Sequence, residues 1–168
     1  MKALRLITVF VLVTLISNHL MAINIETSER CILVVLKSEV NGIDTSQRSK
    51  NSDQTLAIYI SNNDVCLSNA LRKEKTQSYG ILHLAKVEQG FDKESEFFIY
   101  SLLWEYNNSY DNQKGLAVVT LFLEDKYVEF SIETQDGAYK AKYHAIIVEG
   151  DIKGLLSKCR KVTRGITN

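Results

Sequence analysis

The sequence predicts a mainly β domain, either an antiparallel β-sandwich or a partly open barrel, with two short helices of which one is C-terminal. About seven short segments are rich in β-branched and aromatic residues, and several alternate between apolar and polar residues. Brief polar connections separate them, and Asp136-Gly137 is a strong two-residue hairpin signal. No strand–helix–strand alternation occurs along the chain, so a parallel sheet is not expected.

The first 22 residues predict a secretory signal peptide. Lys2 and Arg5 precede the apolar run Leu6–Ile16, and the segment ends on the small residue Ala22. The apolar run is too short to span a bilayer, which requires about 20 residues. We therefore expect a signal peptide at 1–22 and a single exported β-rich domain at 23–168, placed in the periplasm or outside the cell.

The charge of the mature chain argues against a general polyanion binder. Removing residues 1–22 takes away two cations and no acid, so 18 Lys and Arg stand against 20 Asp and Glu, a net charge of −2. Binding to phosphate backbones needs clustered excess cations. We expect no nucleic-acid partner and, because no later apolar run is long enough, no transmembrane helix after cleavage.

The first half of the mature chain predicts strands and one short helix. The strands are Cys31–Leu36, Gln54–Ser61 and Tyr79–Val87. Asn41-Gly42 is typical of a turn, and the polar segment 44–53 predicts a loop. Asn62 to Asp64 offers helix N-caps, so we predict a helix over 65–75.

Residues 96–106 carry two opposing signals. Asp92, Glu94 and Glu96 suit a helix N-terminus. The two-residue apolar stripe from Phe98 to Tyr106 favours a strand, and a strand is predicted.

The second half predicts a strand meander that ends in a helix. Its strands are Leu116–Leu123, Tyr127–Thr134 and Tyr139–Val148. Asp151 can cap a helix over 152–162, because Ile152, Leu155, Leu156 and Cys159 recur at the spacing of one helical face.

Three cysteines remain after signal cleavage, namely Cys31, Cys66 and Cys159. In an oxidising compartment two of them could pair, and a Cys31–Cys159 disulfide is the predicted pair because it would close a long loop. Three buried thiols are the alternative. No CxxC pattern points to redox or zinc chemistry.

A dense aromatic set is the best candidate for a binding surface: Tyr100, Trp104, Tyr106 and Tyr110. Aromatic side chains with polar tips are enriched at recognition surfaces and could bind a carbohydrate, a peptide or an apolar ligand. The competing interpretation is a sheet core with tyrosine hydroxyls at its rim.

No catalytic residue, metal site or cofactor is predicted. His83 and His144 have no metal-ligand spacing, and no GxSxG or papain-like cysteine context occurs. A hydrolase or small-ligand carrier would need a pocket that holds one of these histidines beside a carboxylate or thiol.

The stretch from Cys31 to Ile60 resembles the small periplasmic chaperones of curli subunits. The resemblance rests on Cys31 opening a strand, Leu36-Lys37, Gly42 and Thr45-Ser46-Gln47. It implies an immunoglobulin-like β-sandwich and an exported, non-enzymatic protein that restrains amyloid assembly through charge and edge contacts.

The predicted function is an exported, non-enzymatic binding or accessory protein. Its partner would be a protein or a cell-surface component, contacted through the aromatic surface or an exposed sheet edge. A curli-type chaperone and a secreted hydrolase or small-ligand carrier are the alternatives.

Overall fold

A computed structural model describes residues 29–92 and 95–162, so the predicted signal peptide at 1–22 lies outside the described residues. The strands of this part of the chain are β1 (Arg30–Val40), β2 (Ile43–Asp44), β3 (Gln54–Ser61), β4 (Asp64–Leu71), β5 (Thr76–Asp92), β6 (Ser95–Asn108), β7 (Lys114–Glu124), β8 (Tyr127–Thr134), β9 (Lys140–Glu149) and β10 (Arg160–Lys161). Two helices accompany them, α1 (Ser46–Asn51) and α2 (Ile152–Ser157).

Eight of these strands form a closed antiparallel barrel. Strands β1, β3, β4, β5, β6, β7, β8 and β9 each pair with the next, and β9 pairs back with β1 to close the ring. Strand β2 is a short extension paired with β1, and β10 runs parallel to β5. The predicted mainly β fold is confirmed in its barrel form, with two short helices of which one is C-terminal. The two-sheet sandwich implied by the curli-chaperone resemblance is not the observed architecture.

The interior of the barrel follows from the alternation of the strands. On β8 the predicted apolar face of Val128, Phe130 and Ile132 is buried. Phe130 pairs across the sheet with Tyr143 of β9, which is also buried. Full burial of each such large apolar side chain contributes about 1.5–3 kcal/mol. The inward faces of neighbouring strands therefore form one continuous core.

Residues 96–106 are a strand, as predicted. Strand β6 pairs with β5 along one edge and with β7 along the other, so its backbone groups are hydrogen-bonded on both sides. The two-residue stripe places Tyr100, Leu102 and Trp104 in the core. Burial of this stripe outweighs the preference of the nearby acidic residues for a helix N-terminus.

The predicted helix over 65–75 is wrong. Asn62 and Asn63 adopt φ angles of 51° and 65°, and the hairpin they turn leads straight into β4, whose Asp64 pairs with Ser61. Asparagine tolerates this left-handed region better than most residues, and the same property makes it a turn residue as well as a helix cap.

The first helix instead lies inside the segment predicted as a loop. In α1, Ser49 is buried, and its hydroxyl lies 2.6 Å from that of Ser38 and 2.5 Å from Gln54 Oε1. The helix carries no apolar side chain, so hydrophobic periodicity gave no signal for it. These hydrogen bonds fasten α1 to the barrel wall.

The C-terminal helix packs where β1 begins and β9 ends. The Asp151 carboxylate caps it by accepting a 3.0 Å hydrogen bond from the Lys153 backbone N–H, and Ile152, Leu155 and Leu156 join the core. The helix ends at Ser157 rather than at residue 162, because the chain then pairs with β5 as β10. Its apolar face fills this end of the barrel. Neither helix of the described ranges is long or apolar enough to cross a membrane.

The three cysteines are buried free thiols, and the predicted Cys31–Cys159 disulfide is not formed in this structure. Burial raises the pKa of both Cys31 and Cys159 to about 12, so each thiol stays protonated at neutral pH.

Candidate ligand-binding cavity

A cavity of about 680 Å³ opens at the end of the barrel opposite α2. The ends of β1, β4, β6 and β8, the starts of β3, β5, β7 and β9, and helix α1 surround it. Ligand pockets generally measure about 300–1,000 Å³, and an eight-stranded barrel is wide enough to hold one small ligand. Within residues 29–92 and 95–162, the strand wall is closed and α2 packs at the opposite end, so the cavity reaches solvent through this opening.

Small inward-facing residues leave the room for this cavity. Tyr106 pairs with Gly80 on one side and with Gly115 on the other, and Trp104 pairs with Ala117. A Cβ atom at Gly115 would lie 2.6 Å from the Tyr106 hydroxyl oxygen, and one at Gly80 would overlap the backbone carbonyl of Glu105. Tyr106 therefore has no bulky partner on either adjacent strand, and Trp104 has a small partner on β7.

Trp104 and Tyr106 form one wall of the cavity. Their ring centroids lie 5.2 Å apart with the planes tilted by 39°. Trp104 is only 3% exposed, and its indole Nε1 has no hydrogen-bond partner within the described residues. A buried N–H group without an acceptor is costly, so this donor is an unsatisfied polar group in a residue that lines the cavity. Tyr110, at the rim, is 66% exposed.

A chain of hydroxyl and amide groups forms the facing wall. From the 2.5 Å hydrogen bond of Ser49 to Gln54 Oε1, the chain continues from Gln54 Nε2 to Asn69 Oδ1 at 2.7 Å. Asn69 Nδ2 then donates to the Tyr143 hydroxyl at 3.2 Å, which lies 2.8 Å from the Tyr139 hydroxyl. This hydroxyl–amide chain links α1, β3, β4 and β9. It places polar groups opposite the aromatic wall.

Burial keeps the end of this chain protonated. Burial and the neighbouring Tyr143 raise the pKa of Tyr139 far above its usual value of 10. The phenol of Tyr139 is therefore a hydrogen-bond donor at neutral pH.

The charged groups at the mouth are engaged by other residues. Arg48 of α1 donates from Nη2 and Nε to the two carboxylate oxygens of Glu74, at 2.7 and 3.1 Å, and Ser52 donates to the same carboxylate at 2.5 Å. The hydrogen bonds from Arg48 and then Ser52 lower the pKa of Glu74 from 4.5 to about 2. We call this cluster the rim latch, because it joins α1 to the turn between β4 and β5.

Three of the four predicted binding residues line the cavity. Trp104, Tyr106 and Tyr110 come together at its wall and rim, whereas Tyr100 lies in the core and is not part of the lining. Sequence reasoning missed Gln54, Asn69, Tyr139 and Tyr143 as site residues. A polar residue at an inward strand position, as at Gln54 and Asn69, is the signal that could have found them.

The two histidines do not contribute to this cavity. His83 Nε2 lies 3.0 Å from Glu105 Oε1, and His144 Nδ1 lies 3.6 Å from Glu129 Oε2. In the strand alternation both follow inward residues, so they face away from the barrel interior. Residues 29–92 and 95–162 contain no group of three His, Cys, Asp or Glu side chains that could hold a metal ion.

In the part of the chain that the structure describes, one sheet edge is open along the distal part of β5. Strand β5 pairs with β4 up to Ile81 and with β10 at His83 and Leu84. From Lys86 to Asp92, its recorded pairing within the described residues is with β6 alone. Val87 and Phe91 are exposed on this stretch.

No protein-family model matches the chain, and neither a curated protein nor a solved structure gives a significant match.

Proposed function

We propose that this protein binds a small molecule inside its barrel and acts as an exported carrier or receptor for it. The observation that carries the proposal is the cavity of about 680 Å³. One wall holds a buried indole N–H that has no partner among the described residues, and the other holds the hydroxyl–amide chain. Aromatic and apolar walls with a few converging polar groups are the usual chemistry of small-ligand sites. This proposal develops the small-ligand alternative of the sequence analysis. It puts the aromatic binding residues inside the barrel rather than on the outer surface of the protein.

Recognition rather than bond cleavage is supported by the lining. Its functional groups within the described residues are amides, hydroxyls and aromatic rings, while the charged pair Arg48–Glu74 and the Asp136 carboxylate lie exposed at the rim. Amides and hydroxyls orient a ligand by hydrogen bonding, while aromatic rings contribute buried contact area.

Filling the cavity tests this function. Ala117 is buried in the lining, whereas Val118, the next residue of β7, is 52% exposed on the outside. In a small-molecule library screened by ligand-observed NMR, we expect Ala117→Phe to lose the compounds that the wild type binds, and Val118→Phe to keep them. Thermal unfolding checks that both variants fold. Thr134→Phe, at the mouth, repeats the test if Ala117→Phe does not fold. Equal binding by the filled and control variants would place the ligands outside the barrel and overturn the proposal.

Export of this protein and its binding to a protein partner remain predictions. The composition of residues 1–22 supports export, and the open stretch of β5 supports a partner that adds a strand to the sheet. A carrier that delivers its ligand to a surface component would use both features.

A further inference from the structure

We propose that the cavity selects an uncharged ring compound with two hydrogen-bond acceptors, one for the Trp104 indole N–H and one for a hydroxyl of the Tyr139–Tyr143 pair. This inference rests on the proposed function and names the chemical class of its ligand. An uncharged sugar and a carbonyl-bearing ring share this chemistry.

The charges of the cavity exclude an ionic ligand. Among the described residues, the charged side chains of the lining are Arg48, Glu74 and Asp136. Arg48 is bound by both oxygens of Glu74, and the Asp136 carboxylate accepts hydrogen bonds from Thr134 Oγ1 at 2.6 Å and from the Ala138 backbone N–H at 3.0 Å. All three charged side chains are exposed at the mouth, so a ligand carboxylate or ammonium deeper in the cavity would have no counter-charge beside it, and burying an unpaired charge is strongly unfavourable.

The first acceptor follows from Trp104. An indole has one N–H and accepts no hydrogen bond in its plane, so its polar requirement is a single acceptor. Trp104 Nε1 is buried and has no acceptor among the described residues. A ligand oxygen or nitrogen in this part of the cavity would supply it.

The second acceptor follows from counting hydroxyl hydrogens along the hydroxyl–amide chain. The Ser49 hydrogen goes to Gln54, so Ser38 must donate to Ser49. At the other end, the Tyr143 oxygen already accepts from Asn69, and Tyr139 and Tyr143 share one hydrogen bond.

Each phenol carries one hydrogen, so the tyrosine pair has two and uses one between its members. Whichever tyrosine donates, the hydrogen bonds of the described residues leave one O–H over. Because both tyrosines line the cavity, this O–H is a second donor available to a ligand. Two donors on facing walls therefore require a ligand with two acceptors.

A ring, rather than a flexible chain, fits the walls. The rings of Trp104 and Tyr106 line one side of the cavity, beside Gly115 and Ala117 of β7. Flat rings and the C–H faces of sugars gain contact area on such surfaces at little cost in conformational entropy.

Matched probes test the inference on the full chain. In the carbonyl arm, acetophenone is compared with ethylbenzene, which has no acceptor, and with benzoate, which is anionic. In the sugar arm, methyl glucoside is compared with glucuronate. Dissociation constants are measured by ligand-observed NMR for the wild type, Trp104→Phe, the double variant Tyr139→Phe/Tyr143→Phe, which removes both hydroxyls of the pair, and the control Tyr100→Phe, whose tyrosine lies outside the cavity.

We expect the wild type to bind at least one neutral acceptor compound about fivefold or more tighter than its anionic or acceptor-free partner, since a hydrogen bond changes affinity by roughly that factor. Trp104→Phe and the double variant Tyr139→Phe/Tyr143→Phe should each remove about that factor for the acceptor compound and leave the affinity for ethylbenzene unchanged. Tyr100→Phe should bind every compound as the wild type does.

Preference for benzoate or glucuronate, or equal affinities in Trp104→Phe and wild type, would overturn the inference while the proposed function stands. If no ring compound of either arm binds, the inference is overturned. If the Ala117→Phe screen also finds no ligand in the barrel, the proposed function is overturned with it.

Discussion

Tyr106 shows how single residues decide the shape of the cavity. Its ring lies between Gly80 and Gly115 on the neighbouring strands, and both glycines are needed because a Cβ atom would meet the Glu105 carbonyl in one case and the Tyr106 hydroxyl in the other. Neither glycine is required by a positive φ angle, so their role is to give space to their neighbours. The space that the large rings occupy therefore depends on the small residues beside them.

Glu74 is a second residue whose surroundings determine its behaviour. With hydrogen bonds from Arg48 and Ser52, its folded-state pKa of about 2 lies below its usual 4.5. The carboxylate therefore stabilises the fold above pH 4.5, and this stabilisation is lost as the pH falls through about 2.

We expect Glu74→Gln to be less stable than the wild type at pH 7, because the rim latch loses its anion. The difference should shrink as the pH falls from 4.5 towards 2, where the wild type also becomes neutral at this site. Urea unfolding of both proteins across this pH range measures it. Glu124→Gln, which removes an acid with no recorded ion pair among the described residues, is the control. A difference that is constant with pH would contradict the role of the carboxylate.

The residues that line the cavity could be predicted from the sequence only in part. The stripe of Trp104 and Tyr106 was visible because a two-residue period of aromatic side chains is a strong local pattern. Gln54 and Asn69 were not, because the hydrogen bond between them joins two strands, and its significance depends on Tyr143 of a third strand, distant in the sequence.

At the scale of elements, β4 shows where local patterns mislead. Asn62 and Asn63 are as typical of a helix cap as of a hairpin turn, and the sequence of β4 has no strict alternation. The pairing of β4 with β3 and β5 on its two edges decides the outcome. By contrast, β3 and β8 were predicted with their observed bounds, since both alternate clearly.

The turn at Asn63 can be tested directly. Its φ of 65° lies in the left-handed region, which costs a residue with a branched Cβ about 1–2 kcal/mol. We expect Asn63→Val to lower the free energy of unfolding by about that amount, while Asn63→Gly changes it by less than about 0.5 kcal/mol. Urea unfolding measures both. Ser131→Val, on the outward face of β8, should have little effect. Equal losses for valine and glycine at position 63 would contradict the hairpin.

At the scale of the whole molecule, closure of the barrel encloses the cavity. The pairing of β1 with β9 joins residues more than a hundred positions apart, and α2 fills the end of the barrel beside it. The sequence predicted strands in a meander, but it could not distinguish a sandwich from a barrel, because both have the same local alternation. The hollow end follows from which inward residues are small, and that becomes visible only once neighbouring strands are known.

The central claim is that a ligand enters the barrel and meets Trp104. Trp104 is the sole tryptophan of the chain, so its indole N–H gives a single, assignable resonance in a ¹⁵N-correlated NMR spectrum. During titration with the best-binding neutral ring compound, we predict a saturable shift of this resonance in the wild type and in Val118→Phe. The same titration of Ala117→Phe should leave the resonance unmoved. Saturable binding with no shift of the indole resonance in the wild type would contradict the account.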